Sequence, residues 1–224
     1  MTQEHPPTKV AALRGESVAE PLARRFYERA AERLLAAPSA GDGAAAGDHL
    51  LNPSFAEDAT SRLRDAAVLI PVVAQPRPTV LFTQRTIDLR SHAGEISFPG
   101  GKIDASDEGP AAAALREAEE EIGLQPESRE VIGYLDTYLS RTGYRIFPVV
   151  ARVAPDYQLT INRAEVADVF PVPLSFLLDG ANYRRGNRNL GGRQAHFYEI
   201  PYGERYIWGV TAGIVRTLYD RMVD

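Results

Sequence analysis

Apolar positions recur along this chain with two different periods, one helical and one extended. Val18, Leu22, Phe26, Ala30 and Leu34 follow one another at helical spacing, and Ser17 can cap the helix they define. Pro38 marks its end. The stretch PSAGDGAAAGD, residues 38–48, is built from small and turn-forming residues and predicts a flexible linker. A short helical piece is expected near Pro53 to Asp65. Two β-rich runs follow, Val68 to Ala74 and Val80 to Gln84. The turn-like QPRPT between them predicts a hairpin. Pro110 to Ile122 predicts a helix. Glu130 to Tyr134, Phe147 to Val153, Val166 to Val172 and His196 to Ile200 predict strands, and Ile207 to Met222 a closing helix. Strands and helices mixed in this order predict an α+β fold, a mixed sheet between helical layers in an α/β/α sandwich. The expected division is an N-terminal extension over 1–65 and a main domain over 66–224.

Composition narrows the classes of function. No apolar run approaches the roughly 20 residues that span a bilayer; the longest, Ala66 to Ala74, reads as a strand. The N-terminus MTQEHPPTK lacks an apolar signal core, so a cytoplasmic location is expected and a membrane is not. The absence of cysteine removes disulfides, thiolate metal sites and thiol chemistry. A formal net charge of -5 argues against a general nucleic-acid binder, which is more often basic. It suits a small charged substrate whose phosphates are met by local positive groups.

The candidate chemistry lies in GGKIDASDEGPAAAALREAEEEIGL, residues 100–124. Pro110 suits the first helical turn, Ala111 to Ala114 are strong helix formers, and Gly123 supplies a stop. At about 100° per residue, Leu115, Ala118 and Ile122 share a face that should pack on the sheet. Glu117, Glu120 and Glu121 are expected on the opposite face, converging at i, i+3, i+4 spacing. Like charges so placed repel, and only Arg116 is near, within reach of Glu120. A solvated acidic face is the plain alternative, but a bound cation would relieve this repulsion. Oxygen-only ligands suit Mg²⁺ or Mn²⁺. His5, His49, His92 and His196 are scattered, so a histidine zinc site is not indicated. The adjacent Gly100 and Gly101 allow a tight turn and close approach of backbone to a ligand, forming the lip of a phosphate–metal site.

At these residues the sequence resembles the Nudix hydrolase family, whose signature is G-x5-E-x7-R-E-U-x-E-E-x-G-U, with U a bulky aliphatic residue. Its second half matches from Arg116 through Glu117, Glu120, Glu121 and Gly123 to Leu124, with Ala118 a small departure. Its first half carries one extra residue. Counting on from Gly101 reaches Asp107, and counting back from Arg116 reaches Glu108, so either acid could fill the first acidic place. The preceding LFTQRTIDLRSHAGEISFPGG resembles the coenzyme A pyrophosphatase branch, LLTxR-[SA]-x3-R-x3-G-x3-FPGG. The matches are Leu81, Thr83, Arg85, Arg90, Gly94, Phe98, Pro99, Gly100 and Gly101; Phe82 and Thr86 depart. The resemblance covers about residues 66–220.

The resemblance implies a Mg²⁺- or Mn²⁺-dependent hydrolase that splits the diphosphate of coenzyme A or its derivatives into 3′,5′-ADP and 4′-phosphopantetheine. It implies Glu117 and Glu121 as metal ligands, with Glu120 a third ligand or the base near the attacking water. The Gly101 carbonyl could complete the shell, and Arg116 would orient a carboxylate. Arg85, Arg90 and, more weakly, Lys102 become candidates for phosphate contact, beside Gly100 and Gly101. Glu165, in NRAEVADVF, falls where some Nudix enzymes keep a further acid. A homodimer follows from family habit. Trp208 and Tyr206 could stack on adenine, although IWGVTAGIV reads more simply as a helix on the core. Two other readings compete: another nucleoside diphosphate derivative as substrate (ADP-ribose, NADH or a dinucleoside polyphosphate), and a non-catalytic binding module on the same fold.

Overall fold

Strand β2, Arg64–Val73, explains the layering. Its run AAVLIPVV is apolar at consecutive positions because both faces are covered. Ala67, Leu69 and Val73 join one buried cluster, while Ala66, Ile70 and Val72 join another on the opposite face. The structure, a computed structural model, describes residues 20–39, 46–53, 63–88 and 92–223.

β2 forms an antiparallel hairpin with β3, Thr79–Arg85, as the QPRPT turn predicts. On its other side it runs parallel to β8, Tyr144–Val153, in an unbroken ten-residue register. The mixed sheet is extended by β9, Val166–Pro173, on β3, and by β6, Arg129–Tyr134, on β8. Four short strands complete it. β4 (Ile96–Ser97) pairs with β3, and β5 (Gly100–Lys102) pairs with β2. β1 (Ala46–Gly47) runs parallel to β7 (Tyr138–Leu139), which in turn pairs with β8.

Helices cover both faces. α2, Pro110–Ile122, has the predicted bounds, with Pro110 in its first turn and Gly123 in the left-handed conformation (φ 66°) at its end. Ala113, Ala114, Ala118 and Ile122 are fully buried against Leu69, Val149 and Val153. The other face carries α4, Gly209–Val223, through Ile214, Val215 and Leu218. α1, Glu20–Arg33, packs beside α4 and β6, with Phe26 and Ala30 buried. Arg29 donates to the carbonyls of Met222 and Val223, closing the exposed end of α4. A short α3, Leu174–Leu177, follows β9. A second, antiparallel sheet of β10 (Arg184–Leu190), β11 (Arg193–Tyr202) and β12 (Arg205–Trp208) packs on α4. Arg205 bonds Gln84 and, at 2.5 Å, Asp168, tying this sheet to β3 and β9.

Several expectations are corrected. The closing helix begins at Gly209, whose φ of 61° breaks the run; Ile207 and Trp208 belong to β12. The linker expected over 38–48 is strand at Ala46–Gly47, and residues 40–45 lie outside the described residues. The short helix near Pro53 to Asp65 gives way to β2 at Arg64 and Asp65, since both bond across to β8; its span 54–62 lies outside the described residues. Ser17 and Val18 also lie outside them. Among the described residues, no helix is long and apolar enough to cross a membrane.

Candidate active site

The site forms where the Gly100–Gly101 turn lies across one flank of α2. β5 is held to β2 by the pairs Val68↔Gly100 and Ala67↔Gly101. A Cβ on Gly100 would stand 2.4 Å from the Ala67 carbonyl oxygen, and one on Gly101 2.4 Å from Glu117 Oε1. At Gly100 only glycine lets β5 lie this close to the β2 backbone, whereas at Gly101 the space a Cβ would need is filled by the Glu117 carboxylate. The Gly100 N–H donates to Glu121 Oε2 at 3.2 Å.

Glu121 is 3% exposed and therefore does not share a solvent face with Glu120, as the helical wheel had predicted. On that wheel it lies 40° from Glu117 but only 20° from the buried Ala114. β2 and β5 cover this flank, which the helical period alone does not reveal. Glu117 and Glu121 lie beneath the glycine turn, and the exposed Glu120 shares Arg116 Nη1 with Glu117, each accepting from it at 3.1 Å. Among the described residues, no three acidic or histidine side chains are gathered as a metal-ligand group.

Arg116 organises the surroundings. It grips both carboxylate oxygens of Asp107 at 3.0 Å, donates to Glu117 at 3.1 Å, and reaches the Lys102 carbonyl at 3.3 Å. A bidentate arginine–carboxylate pair is a strong orienting contact. Asp107, held below the usual carboxylate range by Arg116, is the acid of the two that this arginine grips, while Glu108 is exposed. Lys102 is exposed on β5. Glu119 turns away to Arg129 at 2.8 Å. Arg129, itself buried, also bonds the carbonyls of Leu115 and Leu124 and so holds the helix end to β6.

Arg85 stands at the end of β3, where the register with β9 shifts, and Nη1 lies 3.7 Å from Glu121 Oε1. Its Nε is buried without a hydrogen-bond partner. Arg90 lies outside the described residues. Glu165 is fixed by a turn the sequence reading missed. Asn162 donates from its backbone to the Glu121 carbonyl and from its side chain to Glu165 Oε1, while Thr86 N–H donates to the Glu165 carbonyl. The Asn-x-x-Glu spacing was the available signal, because asparagine side chains often close such turns.

Electrostatics bind these acids into one group. Burial raises the Glu121 carboxyl to about 7; the Gly100 N–H and Arg85 oppose this, and Glu117 and Glu165 add to it. Glu117 is raised chiefly by burial, against Arg116, with Glu120 and Glu165 adding repulsion. The donor set is all oxygen, which fits a hard divalent cation. Such an ion would relieve the repulsion among Glu117, Glu121 and Glu165. Glu120 would join it only by leaving Arg116.

Residues 63–187 match the family profile described as the NUDIX domain. The chain is 43% identical over 169 residues to the Escherichia coli O7:K1 protein named "Uncharacterized Nudix hydrolase NudL", covering 75% of this chain and 88% of that protein. The relative of the same name from Escherichia coli K12 gives the same identity and coverage. Among solved structures, the Nudix hydrolase RenU from M. smegmatis matches at 26% identity with a TM-score of 0.39, over 49% of this chain and 70% of that one. The NUDIX domain of Shewanella oneidensis NrtR, complexed with ADP ribose, matches at 19% identity with a TM-score of 0.45, over 79% of this chain and 97% of that one.

Proposed function

Because the chain belongs to the Nudix hydrolase family, we propose that it hydrolyses the diphosphate of coenzyme A or its derivatives, with Mg²⁺ or Mn²⁺, to 3′,5′-ADP and 4′-phosphopantetheine. The observation that carries this reading is the approach of Arg85 and Gly100 to Glu121 of the acidic helix. The stretch that resembles the coenzyme A branch brings the Arg85 guanidinium to one oxygen of Glu121 and the Gly100 N–H to the other.

In this reading residues 66–224 are the catalytic unit, and 1–65 extend it. Glu117 and Glu121 would hold the cation, and the Gly101 carbonyl could complete its shell. Bound there, a divalent ion supplies charge neutralisation of the diphosphate oxygens and acidifies nearby water. Glu120 exchanges Arg116 for the reaction centre, as third ligand or as the base that takes the proton of the attacking water. Arg116 positions Glu117 and Glu120, and Glu165 is the further acid of the site. Arg85, Arg90 and Lys102 meet substrate phosphates, for which arginine's fork is well shaped. A homodimer is the expected assembly.

A substrate panel with Mg²⁺ and chromatographic identification of the products tests this. kcat/KM for coenzyme A should exceed that for ADP-ribose, and dephospho-coenzyme A should fall between them. A better ratio for ADP-ribose or a dinucleoside polyphosphate would remove the coenzyme A assignment and leave a Nudix hydrolase of another substrate.

A further inference from the structure

A cavity of about 330 Å³ opens on the α4 side of the sheet, between β4, the start of α4 and the small sheet. Its walls include Ile96, Phe98, Arg188, Phe197 and Trp208. This size lies at the low end of small-molecule sites and suits one end of a substrate rather than the whole. Phe98 is three residues from Gly101, so the wall lies within about 11 Å of the glycine turn along the chain.

The wall formed by the small sheet has the composition of a stacking surface. Strand alternation puts Ile200 and Ile207 in the core, fully buried, and Phe197 and Trp208 on the opposite face, partly exposed. Trp208 meets Phe197 edge-on at 5.4 Å and stacks on Tyr206 at 6.4 Å. Gly186, the register partner of Phe197, gives that ring room, since a Cβ there would lie 2.7 Å from Phe197 Cε2. The exposed Arg188 guanidinium rests 5.3 Å over the Trp208 ring. The two carboxylates at the lining, Asp48 and Glu95, are already engaged: Asp48 with Tyr138 and the Arg141 N–H, Glu95 with His92.

We propose that this cavity receives the adenosine end of the substrate, with the purine stacked on Trp208 and Arg188 bonded to the phosphate on its ribose. The inference rests on the coenzyme A reading and deepens it. An aromatic face attracts any purine, and arginine serves equally to cover an indole or to grip a phosphate. The purine takes the place of Arg188 on the indole, and the guanidinium turns outward to the 3′-phosphate. The diphosphate is then left at the glycine turn, on the far side of Phe98.

Trp208 is the single tryptophan of the chain, so tryptophan emission, excited selectively over the 10 tyrosines, reports this cavity. The full-length protein with Mg²⁺ is titrated with 3′,5′-ADP and, separately, with 4′-phosphopantetheine, while coenzyme A hydrolysis is followed in parallel. We expect saturable quenching by 3′,5′-ADP and none by phosphopantetheine. Arg188→Gln, at an exposed position, should weaken 3′,5′-ADP binding roughly 5- to 100-fold, and Trp208→Leu should raise KM for coenzyme A by a similar factor. Quenching by phosphopantetheine instead, no quenching by 3′,5′-ADP, or an affinity unaltered by Arg188→Gln would each overturn the proposal. Hydrolysis without quenching leaves the coenzyme A reading standing; quenching without hydrolysis removes that reading and keeps the adenosine site.

Discussion

Replacing each of the two adjacent glycines by alanine should separate stability from activity. At Gly101 the added Cβ would meet Glu117 Oε1, Cδ and Oε2 at 2.4, 2.5 and 2.8 Å. Ordinary van der Waals contact needs about 3.4 Å, so the carboxylate must retreat by about 1 Å. It is the free end of a flexible side chain, and Gly101 is not in the left-handed region, so the backbone accepts alanine. Folding stability should change by less than about 1 kcal/mol, with the lower unfolded-state entropy of alanine acting in its favour. A 1 Å displacement at a reacting centre can cost about 100-fold in rate, and kcat should fall on that order. At Gly100 the obstacles are backbone: the Ala67 carbonyl at 2.4 Å and Val68 Cα at 2.7 Å, at a φ of 156°. Overlap of this kind costs about 1–3 kcal/mol, and each kcal/mol lowers Tm by about 2–4 °C in a chain of this size. Thermal melts and steady-state kinetics on both variants provide the assay. Unchanged kcat in Gly101→Ala would refute the placement of Glu117 under the turn, and an unchanged Tm in Gly100→Ala would refute the β2–β5 contact.

Three further outcomes are expected. Hydrolysis should stop in EDTA and return with Mg²⁺ or Mn²⁺; full turnover in chelator would contradict an acid cluster that works through a cation. Glu120→Gln should lower kcat by orders of magnitude, whereas Glu119→Gln, which trims one rim contact to Arg129, should alter kcat less than twofold and stability by about 0–1 kcal/mol; equal losses in both would mean the helix is rotated from its described position. Glu121 binds its proton more tightly folded than unfolded, so metal-free protein should lose stability as pH rises from about 4.5 to about 7. Glu121→Gln lacks this titration, and its Tm in chelator should gain on the wild type across that window. A constant difference between the two melts would exclude the shift.

The bounds of α2 were legible because they are set locally, by an alanine run between Pro110 and Gly123. The burial of Glu121 was not, because it depends on β5 folding across the helix flank, a contact made twenty residues away in sequence. That Arg116 grips Asp107 and not Glu108 was likewise hidden, because it depends on the reach of a side chain nine residues on. Trp208 was read as helical since IWGVTAGIV keeps a helical apolar period on both sides of Gly209, and only a positive φ there divides it. β10 escaped notice for the opposite reason: RRGNRNL, exposed along most of its length, shows no alternation to read. The five longer strands of the main sheet, β2, β3, β6, β8 and β9, were recognised through their apolar runs, with β8 beginning three residues earlier at Tyr144, but the two- and three-residue strands β1, β4, β5 and β7 are too short to show a pattern.

The contact between α1 and α4 has a consequence for how the chain is made. Synthesis releases α1 before α4, and Met222, whose carbonyl Arg29 holds, is added 222 − 33 = 189 residues after Arg33. At about 5–20 residues per second, this is a wait of roughly 10–40 s on the ribosome. A 14-residue helix is marginal by itself, and α1 carries Phe26 and Ala30, both buried in the folded protein. The nascent chain therefore carries α1 without α4 beside it until α4 has been made, and that interval is when chaperone capture or aggregation would act on this protein.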